Sequence, residues 1–199
     1  VLMIAYHFPP LAGSSGIQRT LRFVQHLPKF GWEPLVLSAD PRAYERTSHD
    51  LMDDIPQNTV VRRAFALDTA RHLAIAGRYV GAMARPDRWV SWKYAAVREG
   101  MRMIREFKPQ AIWSTYPIAT AHLIGAELQR RSGLPWIADF RDPMAQDGYP
   151  IDPLTWQSYR AIEEHTLRMA RYSTFTTPSA ARTYQSRYSV GAERVVVLT

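Results

Sequence analysis

Hydrophobic runs of strand length recur along the whole chain: Val1 to Tyr6, Pro34 to Ser38, Thr59 to Ala64, Gln110 to Ser114, Pro135 to Ala138, Ser173 to Thr176 and Val195 to Leu198. Most lack strict alternation of apolar and polar positions, as strands buried on both faces of a parallel sheet do. Between these runs the apolar residues take helical spacing. Ile17, Leu21, Val24 and Leu27 line one helical face, with Gly31 where a terminator belongs, and Val97, Met101, Ile104 and Phe107 repeat the pattern before Pro109. Ala119 to Arg131, closed by Gly133 and Pro135, and Leu154 to Arg171 read the same way. Asp40 to Asn58 has no regular period and reads as a long loop with at most short helical turns.

The alternation of strand and helix predicts right-handed βαβ crossovers. The expected fold is therefore α/β: a Rossmann-like, doubly wound, mainly parallel sheet with helices on both faces. With 199 residues, 46% of them hydrophobic, the chain can bury one large core, so residues 1–199 are expected to form one domain. Both ends read as cut, because the chain opens on one apolar run and stops just after another, so the protein is expected to continue. Ligands of such sheets bind beyond the carboxyl ends of the strands. Chemistry is thus to be sought in the loops beginning at Tyr6, Ser38, Ser114 and Ala138.

Composition narrows the partners. Twenty-five basic residues against 18 acidic ones give a net charge of +7, which favours anionic ligands or surfaces. The basic residues are spread evenly, and no recognition helix, zinc finger or RNA-binding signature is present, so nucleic acid is not an expected partner. The chain has no cysteine, which excludes disulfides and thiolate metal sites and suits a reducing compartment. With no apolar stretch long enough to span a bilayer and no signal-peptide pattern, a cytoplasmic location is expected.

The loop after the first strand carries the clearest chemistry. In Tyr6-His7-Phe8-Pro9-Pro10-Leu11-Ala12-Gly13-Ser14-Ser15-Gly16, the prolines stiffen the strand exit, and Gly13 and Gly16 let backbone amides approach a ligand. Ser14 or Ser15 can cap the following helix and leave amides free for an anion, with Arg19 one turn further on as a forked donor. The bland alternative is a packing turn with a solvated arginine. A dinucleotide-binding turn is the functional rival, since Asp40 stands near the expected ribose position. Against it, Gly13, Ser15 and Gln18 fall where three glycines are needed.

Tyr6-His7-Phe8-Pro9-Pro10 with Gly13, Gly16 and Arg19, followed by Leu27 to Leu37 (Leu-Pro-Lys-Phe-Gly-Trp-Glu-Pro-Leu-Val-Leu), resembles the N-terminal domain of family 4 retaining glycosyltransferases. Ser114-Thr115-Tyr116-Pro117 with Ala121 to Gly125, the Leu134 to Pro143 stretch containing Asp139-Phe140-Arg141-Asp142-Pro143, and Glu163 to Ala170 with Thr177-Pro178-Ser179 follow in the family's order. Met144 and Arg171 depart from the family's usual tryptophan and acid. Asp139 stands about where better-known members carry a histidine. The resemblance implies one half of a two-domain GT-B enzyme, the acceptor side, with the donor-binding domain outside this chain. It implies sugar transfer with retention from a nucleotide diphosphate sugar, without a metal or other cofactor. The Gly13, Ser14, Ser15, Gly16 and Arg19 loop would face the donor diphosphate. Surface polysaccharide or glycolipid synthesis is the family-level expectation.

Asp139 is the candidate catalytic carboxylate, expected in the cleft, and Asp142 is expected to pair with Arg141 or cap the next turn. His7, Tyr116, Arg141 and Asp142 are candidate acceptor or cleft-lining residues. Asp139 and Asp142 lack a third ligand at metal-binding spacing, and the histidines show no paired motif, so no metal site is expected. Arg71, Arg78 and Arg85 recur every seven residues and would form one basic stripe on a helix, with Trp89 and Trp92 close by. Such a stripe suits an anionic membrane surface, where a peripheral enzyme would meet a lipid-linked acceptor, although an ordinary solvated face with core tryptophans is the plainer reading. Two further functions remain open at this point: the nucleotide- or dinucleotide-binding domain of an oxidoreductase, and a non-catalytic membrane-docking module.

Overall fold

The computed structural model describes residues 1–198. Seven strands form one wholly parallel sheet in the order β3-β2-β1-β4-β5-β6-β7. They are β1 (Leu2–Ile4), β2 (Leu35–Ala39), β3 (Val60–Ala64), β4 (Ile112–Thr115), β5 (Trp136–Arg141), β6 (Tyr172–Phe175) and β7 (Val195–Val197). Every apolar run picked out by pattern overlaps one of them. The chain steps outward from β1 to β3, then returns past β1 to β4 and continues the other way. The switch point therefore lies between β1 and β4, which pair with Leu2 beside Ile112 and Ile4 beside Ser114.

The main helices are α1 (Gly16–His26), α3 (Trp92–Phe107), α4 (Thr120–Ser132), α5 (Pro153–Met169) and α6 (Pro178–Tyr188), and a single turn, α2 (Thr69–His72), precedes α3. Alternate residues of the central strands enter two core clusters. Leu2, Ile4, Leu35 and Leu37 pack with residues of α3 to α6, whereas Met3, Val36 and Trp113 pack with Leu21 and Val24 of α1. The sheet is thus covered on both faces, as the unalternated strand pattern requires. Gly125 of α4 marks how closely helix and sheet approach, since a Cβ there would lie 2.7 Å from Nε1 of Trp136. Helix α6 has no apolar stripe to announce it and buries only Ala180, Ala181 and Tyr184.

Two segments differ from expectation. Strand β5 runs on to Arg141, so Asp139 and Phe140 belong to the sheet rather than to a loop, with a register shift between Asp139 and Arg141 against β6. The predicted stripe of Arg71, Arg78 and Arg85 does not form. Helix α2 is one turn, Ile75 to Arg78 is a tight turn, and Gly81–Ala84 is a short 3-10 piece, so the three arginines share no helix. Glycines at 77 and 81 and Pro86 deny this segment the uninterrupted hydrogen-bond ladder that a stripe needs. Asp87 anchors its far end: the buried carboxylate accepts from the backbone N and hydroxyl of Thr120 at 2.8 and 2.9 Å. Burial pushes the Asp87 pKa above the usual carboxylate value, with the Thr120 and Trp89 hydrogen bonds opposing.

Candidate functional site

The loop from Tyr6 to Gly16 lies at the carboxyl end of β1, beside the switch point. Tyr6 is buried and donates its hydroxyl to the carbonyl of Ala43, which fixes the strand exit. The loop is strapped to the next connection by Ala12 N to Arg46 O at 3.1 Å and Ser48 N to Pro10 O at 2.8 Å. Gly13 adopts φ +79°, a left-handed turn that a side chain would strain. Ser14 Oγ sits 2.8 Å from Nδ1 of His7 and accepts from the backbone N of Gly16 at 3.2 Å.

The first turn of α1 is largely self-satisfied. Ile17 N donates to Ser14 O and Gln18 N to Ser15 O, and Ser15 itself makes no side-chain cap. Among the described residues no acceptor pairs with the amides of Gly13, Ser14 and Ser15. The free donors therefore stand one step before the helix, on the loop. Successive backbone amides in such a turn form an anion-binding concavity.

Gly16 has a different role from Gly13. A Cβ at Gly16 would lie 2.4 Å from His7 Nδ1 and 2.9 Å from Arg141 Nη1. The missing side chain admits Arg141 from β5 against the start of α1. Arg141 holds φ +63°, uncommon for a residue with a side chain, and its Nη1 reaches the carbonyl of Tyr116 only at 3.4 Å. Its Nε is sealed from solvent without a hydrogen-bond partner, and among the described residues no carboxylate lies within ion-pair distance. Burial first, and the Arg141 charge second, lower the His7 pKa to about 4, so this imidazole is neutral at physiological pH.

Asp139 and Arg19 occupy the reverse position. Arg19 Nε and Nη2 each donate to one Asp139 oxygen at 2.9 Å, while Thr115 and Thr174 hydroxyls donate to the same two oxygens at 2.8 and 2.7 Å. The Asp139 side chain is wholly buried and Arg19 retains 18% exposure. This corrects two expectations. Asp139 presents no free oxygen to a cleft, and Arg19 is engaged with it rather than aimed at an anion. Both corrections follow from β5 extending past Ala138, which turns a loop carboxylate into an inward strand residue.

The other expected cleft residues divide. Asp142 is exposed and accepts weakly from Thr176 at 3.3 Å, without pairing to Arg141 as expected. Tyr116 does not line the cleft: it is 8% exposed and meets Tyr159 edge-on at 6.4 Å, and burial raises its pKa. Ser114 is buried in a relay with His122 Nδ1 and Trp136 Nε1, both at 2.8 Å. Burial lowers the His122 pKa to about 4, against the opposing charge of Asp139.

A cavity of about 310 Å³ opens on the outer side of the loop, lined by Tyr6, His7, Leu11, Gly13, Glu45, Arg46 and Trp89 among others. That is the lower end of the range for small-molecule sites. Glu45 is held by Arg88, which keeps its carboxyl below the usual range. Sequence reasoning missed Arg46 because it lies in the segment without a period. Trp89, which stood open between a membrane-facing aromatic and a core tryptophan, packs 4.9 Å from Tyr6 at the cavity wall. Glu163 was also missed as a support. It accepts from the backbone N of Met144 and Ala145 at 2.9 and 2.8 Å and from the Tyr184 and Tyr188 hydroxyls, pinning the chain beyond β5. Its place beside Ile162 and Thr166 on the buried face of α5 was the available signal. Among the described residues no three His, Asp or Glu side chains gather to hold a metal ion.

Comparison with solved structures recovers this architecture at low identity. Sucrose-phosphate synthase from Thermosynechococcus elongatus aligns over 98% of this chain and 46% of its own, at 14% identity and a TM-score of 0.64. The Anabaena protein HepE, solved with UDP and glucose, aligns over 99% and 43% at 13% identity and 0.57. UDP-GlcNAc 2-epimerase from Neisseria meningitidis, bound to UDP-GlcNAc, aligns over 98% and 44% at 7% identity and 0.55. The chain therefore spans less than half the length of these structures. The likeness establishes the fold, one Rossmann-like half of the GT-B arrangement, and takes in a sugar-phosphate synthase and an epimerase alike. No curated protein matches by sequence. What separates the two chemistries is the sequence family, which matches from Ser15 onward and takes in Arg19, β5 and Arg141: over residues 15–199 the chain belongs to the glycosyl transferase 4-like domain family.

Proposed function

We propose that this chain serves as the N-terminal, acceptor-side half of a glycosyltransferase that moves a sugar, a hexose or a related one, from a nucleotide diphosphate donor to an acceptor with retention. The observation that carries the reading is the meeting of three unpartnered amides, Gly13 to Ser15, with the unpaired guanidinium of Arg141 across Gly16. Negative charge grows on the diphosphate as the glycosidic bond breaks. Fixed donors in a partly dry site stabilise that charge without having to reorganise. In this reading amides and a guanidinium meet the charge, and transfer needs no bound metal. Arg141 takes the part first expected of Arg19, and neutral His7 fixes Ser14 without adding a second cation.

The 310 Å³ cavity beside the loop, with Arg46 and Trp89 in its wall, is the acceptor pocket in this scheme. A second domain outside this chain supplies most of the nucleotide contacts, so residues 1–199 alone should not turn over. Uridine diphosphate is the nucleotide to test first, because HepE and the epimerase were solved with it or its sugar. We place the enzyme in the cytoplasm, peripheral at the inner face of the membrane, in surface polysaccharide or glycolipid synthesis with a sugar or lipid-linked acceptor. The test is transfer from labelled UDP-sugars by the intact protein, with the product anomer read by NMR. An inverted product would refute retention, and release of the sugar with no acceptor able to take it up would refute transfer.

A further inference from the structure

We infer that the segment between β3 and α3, joined by the turn before α5, forms a docking ridge for an anionic bilayer and holds the acceptor pocket against it. This rests on the transferase reading only for its consequence, the class of acceptor. Five large apolar side chains are exposed within 11 residues: Leu73 at 37%, Ile75 at 85%, Tyr79 at 41%, Val80 at 65% and Met83 at 46%. Ile75 and Arg78 exchange backbone hydrogen bonds across a turn in which Ala76 and Gly77 have φ +50° and +74°. That geometry makes a narrow projecting tip. Arg85 pairs with Asp152 at 3.5 Å, which brings up a second exposed group, Tyr149, Ile151 at 91% and Leu154.

Charge selects the occupant. From Thr69 to Pro86 the sequence has Arg71, Arg78 and Arg85 and not one acidic residue. The acids nearby are held in the fold: Asp68 lies 3.0 Å from Arg88, Asp87 holds Thr120, and Asp152 caps α5 and offsets Arg85, so that among the described residues the charge of the ridge rests on Arg71 and Arg78, with Asp147 apart on the second group. Projecting apolar tips with flanking arginines fit the headgroup boundary of an anionic leaflet. The ridge also leads directly to the pocket. Arg71 donates to the carbonyl of Tyr44, next to the lining residues Glu45 and Arg46, and the segment ends at Arg88 and the lining residue Trp89. A pocket held this way opens beside the bilayer, which selects an acceptor borne on a lipid.

The test is co-sedimentation of the intact protein with vesicles of phosphatidylcholine alone and of phosphatidylcholine mixed with phosphatidylglycerol. Binding to the mixed vesicles is expected to exceed binding to the neutral ones, and Ile75→Asp with Val80→Asp should weaken it at least tenfold. Both positions are exposed, so folding should be unaffected. The milder Ile75→Ser with Val80→Ser should weaken it in the same direction. UDP affinity in solution should not change in either variant. Equal binding to both vesicle types, or undiminished binding of the Asp variant, overturns the ridge and leaves the transferase reading intact. Ridge-dependent binding by a protein that transfers no sugar upholds the ridge and removes the transferase reading instead.

Discussion

Two arginines flank the start of α1 and have opposite fates. Arg19 is closed: both of its forked donors are taken by Asp139, whose oxygens are also bound by two threonines. Arg141 is open: its guanidinium reaches one distant carbonyl and, among the described residues, no carboxylate. They differ because β5 continues through Asp139 and then breaks register, so the first residue points inward and Arg141 emerges in a left-handed conformation. Arg19 with Asp139 builds the wall of the site, and Arg141 is what the wall presents.

The largest effect should come from breaking the closed pair. Removing one partner of a buried ion pair leaves the other charge stranded, at a cost of about 3–5 kcal/mol. Asp139→Ala should therefore lower unfolding stability by about that amount in chemical denaturation, and Arg19→Ala by somewhat less because of its partial exposure. If Asp139 were instead a free catalytic group in the cleft, activity would vanish with stability intact.

Arg141→Ala should reverse this pattern. Its loss removes charge-assisted hydrogen bonds worth roughly 1.5–3 kcal/mol, so UDP affinity in the intact protein should fall about ten- to a hundredfold while stability changes little. Relief of the strained backbone by Arg141→Gly should even favour folding, by about 1 kcal/mol. Unchanged UDP affinity, measured by calorimetry, would return the anion site to the amides alone. Gly16→Ala probes the same contact from the other side. Its Cβ must displace His7 and Arg141, and a several-fold loss of UDP affinity is expected.

Much of the frame was legible in the sequence because burial on both faces leaves unbroken apolar runs in the central strands, and the edge strands β3 and β7, half-buried or exposed, were still marked by short runs rich in valine. The strand-to-helix turn was legible too, since its prolines and glycines mark a tight connection, but the amides it leaves free stand on the loop and not at a serine-capped helix start as expected. Side-chain direction was not. Asp139 and Arg141 are two residues apart in one motif, and only the length of β5 and its bulge decide which of them faces in. Arg71, Arg78 and Arg85 misled for a similar reason, because a period of seven means a stripe only where the backbone is helical. Arg46 and Trp89 gained their places through contacts across the fold that no local pattern records, whereas Glu163 left one local trace, its position on the buried face of α5.

The smallest prediction concerns protons and sharpens the contrast between the two arginines. His7 and His122 both have pKa values lowered to about 4 from the ordinary 6.5. The unfolded chain then binds more protons than the folded one between those two values, so stability is present above the unfolded pKa and is lost as pH falls from about 6.5 towards 4. Each histidine should cost on the order of 1 kcal/mol between roughly pH 7 and 5.5. The two should respond differently to Arg141→Ala. Burial alone lowers His122, with Asp139 opposing, so its NMR titration should not move. Part of the His7 shift comes from Arg141, so its pKa should rise, though by less than burial takes away. An unmoved His7 would mean that Arg141 does not bear on the loop, and the open cation would lose its link to the amides.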